Sequence, residues 1–313
     1  MSIDRIGTAA TAQFMYAQIQ KAELALDTSN RQVTTGKVAD TYSGYGDKTA
    51  MMEAARSAGA LAEANASVAQ QASTRLDLQD TQLSQLSQLA GQVRQTLTQA
   101  SADQDATSLM TQMQGYFDQA VEILNSKDGS GYIYAGDNNQ TAPVSVTSLS
   151  ALAALPSVSQ AFANGAVKTN VRVSGTQTVQ VGMLASDLGT QLFSLFQQVA
   201  QFDAGAGGPF DAKTTPAQQT FIESTIQTAA DAASDVNQQA AGNGVRYQIV
   251  QDSLSRLQAT STVYKGLVSN VEDVDMAQAL AQLNQNQVAL QASFQVTSKL
   301  NQLSLLNYLN PLA

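Results

Sequence analysis

Apolar residues in this chain recur every three or four positions over most of its length, the period of a helix buried on one face. Met15, Ile19, Ala22, Leu26, Ser29 and Val33 follow at 4-3-4-3-4 spacing and form a heptad seam that ends near Gly36. The stretch 36–48 (GKVADTYSGYGDK) holds three glycines and reads as a loop. A long helical region is predicted from about residue 49 to residue 100. In its second half Leu76, Gln79, Leu83, Leu86, Ala90, Val93, Leu97 and Ala100 keep strict 3-4 spacing. Gly91 lies inside it at a cost of roughly 1 kcal/mol relative to Ala, which predicts a close helix contact there. Leu109, Met113, Tyr116, Ala120 and Ile123 make a further seam before Asp128-Gly129.

The period then changes. Residues 129–143 (GSGYIYAGDNNQTAP) are rich in Gly and Asn, with a short strand expected at 132–134. Thr169, Val171 and Val173, then Val179 and Val181, alternate on either side of Ser174-Gly175, a hairpin pattern. Leu188, Leu192, Leu195, Phe196 and Val199 predict a short apolar helix over 187–202, and 205–209 (GAGGP) reads as a flexible break. Helical spacing returns at Pro216, a favoured first-turn residue. It is marked by Phe221, Ile222, Ile226, Ala229, Ala233 and Val236, and an interruption is expected at Gly242-Asn243-Gly244. A continuation over 245–268 carries Ile249, Leu254, Leu257 and Tyr264.

The last stretch, 271–309, reads as one amphipathic helix. Glu272, Asp273 and Asp275 crowd its start, where carboxylates suit the positive end of the helix dipole, and Ser269 is placed for a capping box. Met276, Leu280, Leu283, Leu290 and Phe294 follow 4-3-7-4 spacing with Gln287 in the gap. Val296, Leu300, Leu303 and Leu306 continue the stripe up to the breaker Pro311. Such a helix exceeds ~50 Å at ~1.5 Å per residue, so its seam calls for a partner helix. The layout is nested: terminal helices bracket inner helices, which bracket a mixed insert. The fold class expected is mainly α, a long antiparallel helical bundle or coiled coil built from both chain ends, with a small mixed α/β insert at the tip.

Composition narrows the chemistry. Charged residues make up 13% of the chain, about half the usual share, and Gln, Ser, Thr and Asn fill the polar positions. Sixteen basic against 25 acidic residues give a net charge of −9, which disfavours nucleic acid. Without Cys or His there is neither a thiolate metal site nor a Ser-His or Cys-His nucleophile. The start, MSIDRIGTAATAQ, has no apolar core behind a basic region, and no run of about 18 apolar residues occurs. Neither a cleaved signal nor a membrane span is expected, and any export uses another route. Glu272, Asp273 and Asp275 read as a helix start rather than a metal site. Asp128-Gly129-Ser130-Gly131 lacks the spaced ligands of a calcium loop. Gly205, Gly207 and Gly208 lack the Lys-Ser/Thr that a phosphate-binding loop needs. No enzyme activity, metal or cofactor is predicted.

Two terminal segments then carry a resemblance. Residues 24–50 (LALDTSNRQVTTGKVADTYSGYGDKTA) and 270–293 (NVEDVDMAQALAQLNQNQVALQAS) resemble the paired ends of the flagellin superfamily. The ending LSLLNYL (303–309) and the segment GSGYIYAGDNNQTAPV (129–144) are similar to the hook-associated junction branch of that superfamily, with Tyr134 where Phe is usual. The resemblance implies domain D0 at 1–45 and 270–313, a D1 helical rod at 46–128 and 213–269, and a D2 insert at 129–212. It implies a structural subunit secreted, without a cleaved signal peptide, through the flagellar type III apparatus to the hook–filament junction of the bacterial flagellum. The partners implied are neighbouring copies, the hook-side junction protein, flagellin, and a cytosolic export chaperone on the C-terminal helix.

The assembly surface expected is Met15, Ile19, Ala22, Leu26 and Val33 on the first helix. On the last it is Met276, Leu280, Leu283, Leu290, Phe294, Leu300, Leu303, Leu306, Tyr308 and Leu309. Filament flagellin is the nearest alternative. A secreted carbohydrate-acting or carbohydrate-binding protein is a second: hydrolysis would need two converging carboxylates, and the insert holds scattered ones (Asp137, Asp187, Asp203, Asp211), with no Trp anywhere in the chain. A coiled-coil signalling rod is a third, and it lacks a membrane span and a charged tip.

Overall fold

The computed structural model describes the backbone of residues 3–309, with side chains described for residue 10 and residues 13–299. The chain is mainly α. Helix α1 covers Ile3–Thr35, a 3-10 helix covers Tyr42–Lys48, α2 covers Thr49–Asp103 and α3 covers Leu109–Leu124. Strands β1 (Lys127–Asp128) and β2 (Gly131–Tyr132) pair antiparallel, as do β3 (Asn170–Arg172) and β4 (Thr178–Gln180). Helix α4 (Leu149–Ala153) lies between the hairpins. Helices α5 (Ala185–Ala204), α6 (Pro216–Glu272) and α7 (Met276–Leu309) complete the order. The chain divides into two compact units, Met1–Leu61 with Thr260–Ala313, and Ala62–Ala259.

In the second unit the strict seam of α2 is the core. Leu76, Gln79, Leu83, Leu86, Ala90, Val93, Leu97 and Ala100 are all buried. The insert adds its apolar side chains to the same core, so Tyr134, Leu188, Leu192, Phe193 and Phe196 share one cluster with Leu83, Met113 and Ile222. Each fully buried Leu or Phe contributes roughly 1.5–3 kcal/mol. The β3–β4 hairpin lays Val173, Val179 and Val181 on Ala69, Ala72 and Leu76 of α2 and Val250 and Leu254 of α6.

Four local expectations are corrected. On α3 the buried face is Leu109, Met113, Phe117, Ala120 and Leu124, with Tyr116 and Ile123 only partly covered. Phe117 wins because its ring meets Phe193 at 5.3 Å and Phe196 edge-on at 5.9 Å, whereas Tyr116 stays where its hydroxyl reaches Thr96 Oγ1 at 3.0 Å. A Cβ on Gly91 would meet nothing within 4 Å, so no close helix contact occurs there. That contact is at Gly189 instead, where a Cβ would stand 2.9 Å from Leu124 Cδ1 and 3.0 Å from Phe162 Cζ. Helix α6 runs unbroken through Gly242-Asn243-Gly244, because the buried Asn243 donates Nδ2–H to the Leu76 carbonyl at 2.8 Å and packing overrides propensity. Lastly, 271–309 is not one helix: α6 ends at Glu272 and α7 begins at Met276.

Candidate assembly surfaces

The first unit is built from the two ends of the chain. Helices α1 and α7 pack antiparallel. Asn286 reaches Ala25 and Ser29, while Val274 N–H, a little before the start of α7, donates to the Gly36 carbonyl just beyond the end of α1. Gly36 turns the chain with φ +70°, a conformation that L side chains rarely adopt. Val38 N–H then donates to the Glu272 carbonyl at 2.8 Å, so the loop after α1 is held by the connection between α6 and α7.

Glu272 is the centre of that connection. Only 8% exposed, it receives Lys37 Nζ at 2.6 Å and Arg56 Nη2 at 2.5 Å. The hydrogen bonds from Lys37 and Arg56 hold its carboxyl below the usual carboxylate range, against the opposing effect of burial. The Lys37 ammonium and the Arg56 guanidinium are raised in turn, chiefly by their hydrogen bonds to Glu272. Glu272 is thus spent on cations, and Ser269 hydrogen-bonds Asp273 rather than closing a capping box. The cap of α7 is Asp275, whose Oδ1 accepts from Ala277 N–H at 2.9 Å and Gln278 N–H at 3.3 Å.

On α1 the residues least exposed to solvent include Met15, Ile19, Ala22, Leu26, Ser29 and Val33, the heptad positions of the sequence. On α7 the covered face is Ala279, Leu283, Asn286, Leu290, Ser293 and Thr297. It is rotated roughly 60° about the helix from the stripe expected, at ~100° per residue. Leu283 and Leu290 belong to both sets. Met276, Leu280 and Phe294 lie outside the covered face at 43%, 46% and 49% exposure. The side chains of Leu300, Leu303, Leu306, Tyr308 and Leu309 lie outside the described residues. Further apolar side chains stand in solvent on the same two helices: Phe14, Tyr16 and Leu24 on α1, and Val288 and Val296 on α7. Sequence reasoning missed Ala279, Asn286, Ser293 and Thr297. The 4-3-4-3-4 spacing they keep with Leu283 and Leu290 was the available signal.

No helix among the described residues is long and apolar enough to cross a membrane, and none of their His, Cys, Asp or Glu side chains cluster as a metal site. The Asp128 carboxylate accepts from Ser130 N–H at 2.7 Å and lies 3.6 Å from Arg75 Nη1, a local turn that fastens the β1–β2 hairpin.

Comparisons with known proteins agree with this architecture. Residues 226–309 match the family model of the bacterial flagellin C-terminal helical region. The chain is 35% identical over 79 residues to flagellar hook-associated protein 3 of Escherichia coli strain K12; the match covers 24% of this chain and spans 25% of that relative's length. Among solved structures, a flagellar hook-associated protein from Vibrio parahaemolyticus superposes with TM-score 0.60 at 16% identity, covering 72% of this chain and 97% of that one. The Bacillus cereus FlgL superposes with TM-score 0.54 at 10% identity, over 69% and 98% of the two chains. The likeness to these structures shows the fold. The flagellin-superfamily resemblance of the hook-associated type is borne out.

Proposed function

We propose, on the premise that this chain is of the flagellin-superfamily, hook-associated type, that it is a structural subunit of the bacterial flagellum which joins hook to filament at their junction. It works without catalysis, metal or cofactor. Its activity is polymerisation: terminal helices of one subunit bury their exposed apolar side chains against those of neighbouring subunits. The observation that carries this reading is the two-faced character of α7. One face is spent on α1, and the flank bearing Met276, Leu280 and Phe294 stays in solvent. Apolar side chains left exposed along a helix mark an interaction surface.

In this reading residues 1–45 and 270–313 form domain D0, 46–128 and 213–269 the D1 helical rod, and 129–212 the D2 insert. Ordering a helix costs ~1–2 kcal/mol per residue in backbone entropy and α1 covers one face of α7, so burying the remaining exposed flank at roughly 25 cal/mol per Å² adds most where several subunits surround the pair. Polymerisation is therefore cooperative and a lone subunit stays a monomer. The hook-side junction protein and flagellin are its axial neighbours. A cytosolic chaperone covers the C-terminal helix before type III export, which uses no cleaved signal.

Deletion of residues 300–313 in the source cell tests this, scored by electron microscopy of the flagella and by assay of the medium for flagellin. Hooks without filaments, with flagellin lost to the medium, are expected. Normal filaments overturn the junction role, and filaments that are merely short favour a filament flagellin.

A further inference from the structure

Among the described residues, four buried side-chain polar atoms have no hydrogen-bond partner in the chain: Arg75 Nε, Gln79 Nε2, Gln79 Oε1 and Asn243 Oδ1. They belong to three residues at one level of the second unit. Asn243 on α6 donates Nδ2–H to the Leu76 carbonyl of α2 at 2.8 Å, which sets its amide beside the turn that leads to Gln79. Gln79 follows Arg75 by one helical turn, so the two share a face of α2, and a helical side chain leans back over the turn before it. Gln79 and Asn243 are both fully buried.

This level is where the apolar core is interrupted. On α2 one cluster ends at Leu76 and the larger one begins at Leu83. On α6 the same two clusters reach Val250 and Val236, on either side of Asn243. The positions next to Asn243 carry no side chain. A Cβ added at Gly242 would meet only Arg246, at 3.9 Å, and one at Gly244 would meet nothing within 4 Å.

The donors and acceptors follow a fixed order. Arg75 is a donor only, and its Nη2 and Nη1 are taken by the Ile133 carbonyl at 2.9 Å and Asp128 at 3.6 Å. Its Nε is left, and of the two Gln79 atoms only Oε1 accepts. Asn243 has committed Nδ2, so Oδ1 is left to accept, and Gln79 Nε2 is the donor that remains for it. Two donors and two acceptors therefore balance, yet none is bonded to another. Polar atoms shut away from solvent are penalised unless paired, and internal water is the usual partner of those the chain leaves over. Water donates and accepts at once and brings no charge into the core.

We propose that Arg75, Gln79 and Asn243 form a buried water-binding site between α2 and α6, with one molecule bridging Arg75 to Gln79 and another bridging Gln79 to Asn243. The inference concerns the interior of the second unit and stands apart from the proposed role at the hook–filament junction.

Oxygen-17 magnetic relaxation dispersion counts long-lived internal waters of a protein in solution. Gln79→Met and Asn243→Leu keep side-chain size, and together they remove three of the four unpartnered atoms. In the full-length protein the double variant is expected to hold about two fewer long-lived waters than the unaltered chain, and Asn243→Leu alone about one fewer. Helical circular dichroism is expected to be kept, because apolar groups of the same shape replace polar atoms whose partner is water, and the Leu76 carbonyl that loses Asn243 stays inside the α2 ladder. If the double variant loses helix, Asn243→Leu alone decides. A count unchanged in a folded variant overturns the proposal. So does loss of helix in both variants, which shows that these amides hold the chain directly rather than through water.

Discussion

The phenolic hydroxyl of Tyr134 donates a 2.6 Å hydrogen bond to Gln82 Oε1, joining the segment after the β1–β2 hairpin to the middle of α2, 52 positions away in sequence. Tyr134 is fully buried and Gln82 is 8% exposed. Gln82 Nε2 in turn donates to Ser126 Oγ at 2.7 Å, and the Ser126 hydroxyl donates to the Ile123 carbonyl at 2.7 Å. Burial pushes the Tyr134 phenol up, so it remains a donor at every pH the protein meets. Tyr134→Phe, the residue usual in the resembling segment, leaves the Gln82 oxygen buried and without its donor. It is expected to lower stability by about 1–3 kcal/mol in urea unfolding of the whole chain. Coupling of about 1 kcal/mol between Tyr134→Phe and Gln82→Leu in a double-mutant cycle checks that this bond is the cause.

Glu272 gives the first unit an acid limit. A carboxylate whose folded value lies below its unfolded value binds fewer protons when folded, so its stabilisation is fully present above the ordinary value of 4.5 and is lost as pH falls through the folded value. Lys37 and Arg56 are raised, so what they contribute is present below their ordinary alkaline values and sets no limit near neutrality. Glu272→Gln is therefore expected to lower the thermal midpoint at pH 7 and to change it progressively less as the pH drops below about 4.5. Because Lys37 is 50% exposed and Arg56 36%, salt is expected to narrow the gap at pH 7 as well. Thermal unfolding of both proteins across pH, at low and high salt, decides it. An equal gap at all pH values excludes the ion triad as the source.

What the sequence made legible follows from which forces are local. The α2 seam from Leu76 to Ala100 was read position by position because one helix with one buried face leaves a 3-4 signature that nothing downstream can rewrite. On α3 Leu109, Met113 and Ala120 are buried as the spacing predicts, while Phe117 and Leu124 take the places expected for Tyr116 and Ile123, since Tyr116 and Phe117 both satisfy helical spacing and the choice between them rests on Phe193 and Phe196 in α5. The break before α7 was hidden for a similar reason. Glu272 resembled a helix-start acid until its partners appeared at Lys37 and Arg56, more than 200 residues earlier. The expected α7 seam has Gln287 in its gap, whereas the residue that meets α1 there is its neighbour Asn286, which keeps helical spacing with Leu283 and Leu290 and bonds to Ser29.

Gly91 offers a gain in stability. It sits in the interior of α2 with a helical backbone and with open space around the Cβ it lacks. Ala there narrows the unfolded ensemble and adds helix propensity without a clash. Gly91→Ala is expected to raise stability by about 0.5–1 kcal/mol. Gly189→Ala, whose Cβ would press on Leu124 and Phe162, is expected to lower it by about 1–3 kcal/mol. Chemical unfolding of the two variants side by side compares the same substitution with opposite signs.

The flank of α7 that faces solvent separates assembly from folding. Met276, Leu280 and Phe294 expose nearly half their surface in the single chain. Replacing all three by Ser removes little that the isolated subunit has buried, so its stability is expected to stay within roughly 1 kcal/mol of the parent in urea unfolding. If this flank is buried between subunits, the triple variant is expected to be made and folded yet to leave hooks without attached filaments. Leu283 and Leu290 are the control, because they lie on the face turned to α1. Their replacement by Ser is expected to weaken the α1–α7 hairpin itself, seen as lost helical signal and faster proteolysis of both chain ends. A triple variant that still builds filaments places the assembly contact elsewhere on the terminal helices. A variant that loses helix along with filaments shows instead that the exposed flank supports the subunit's own fold.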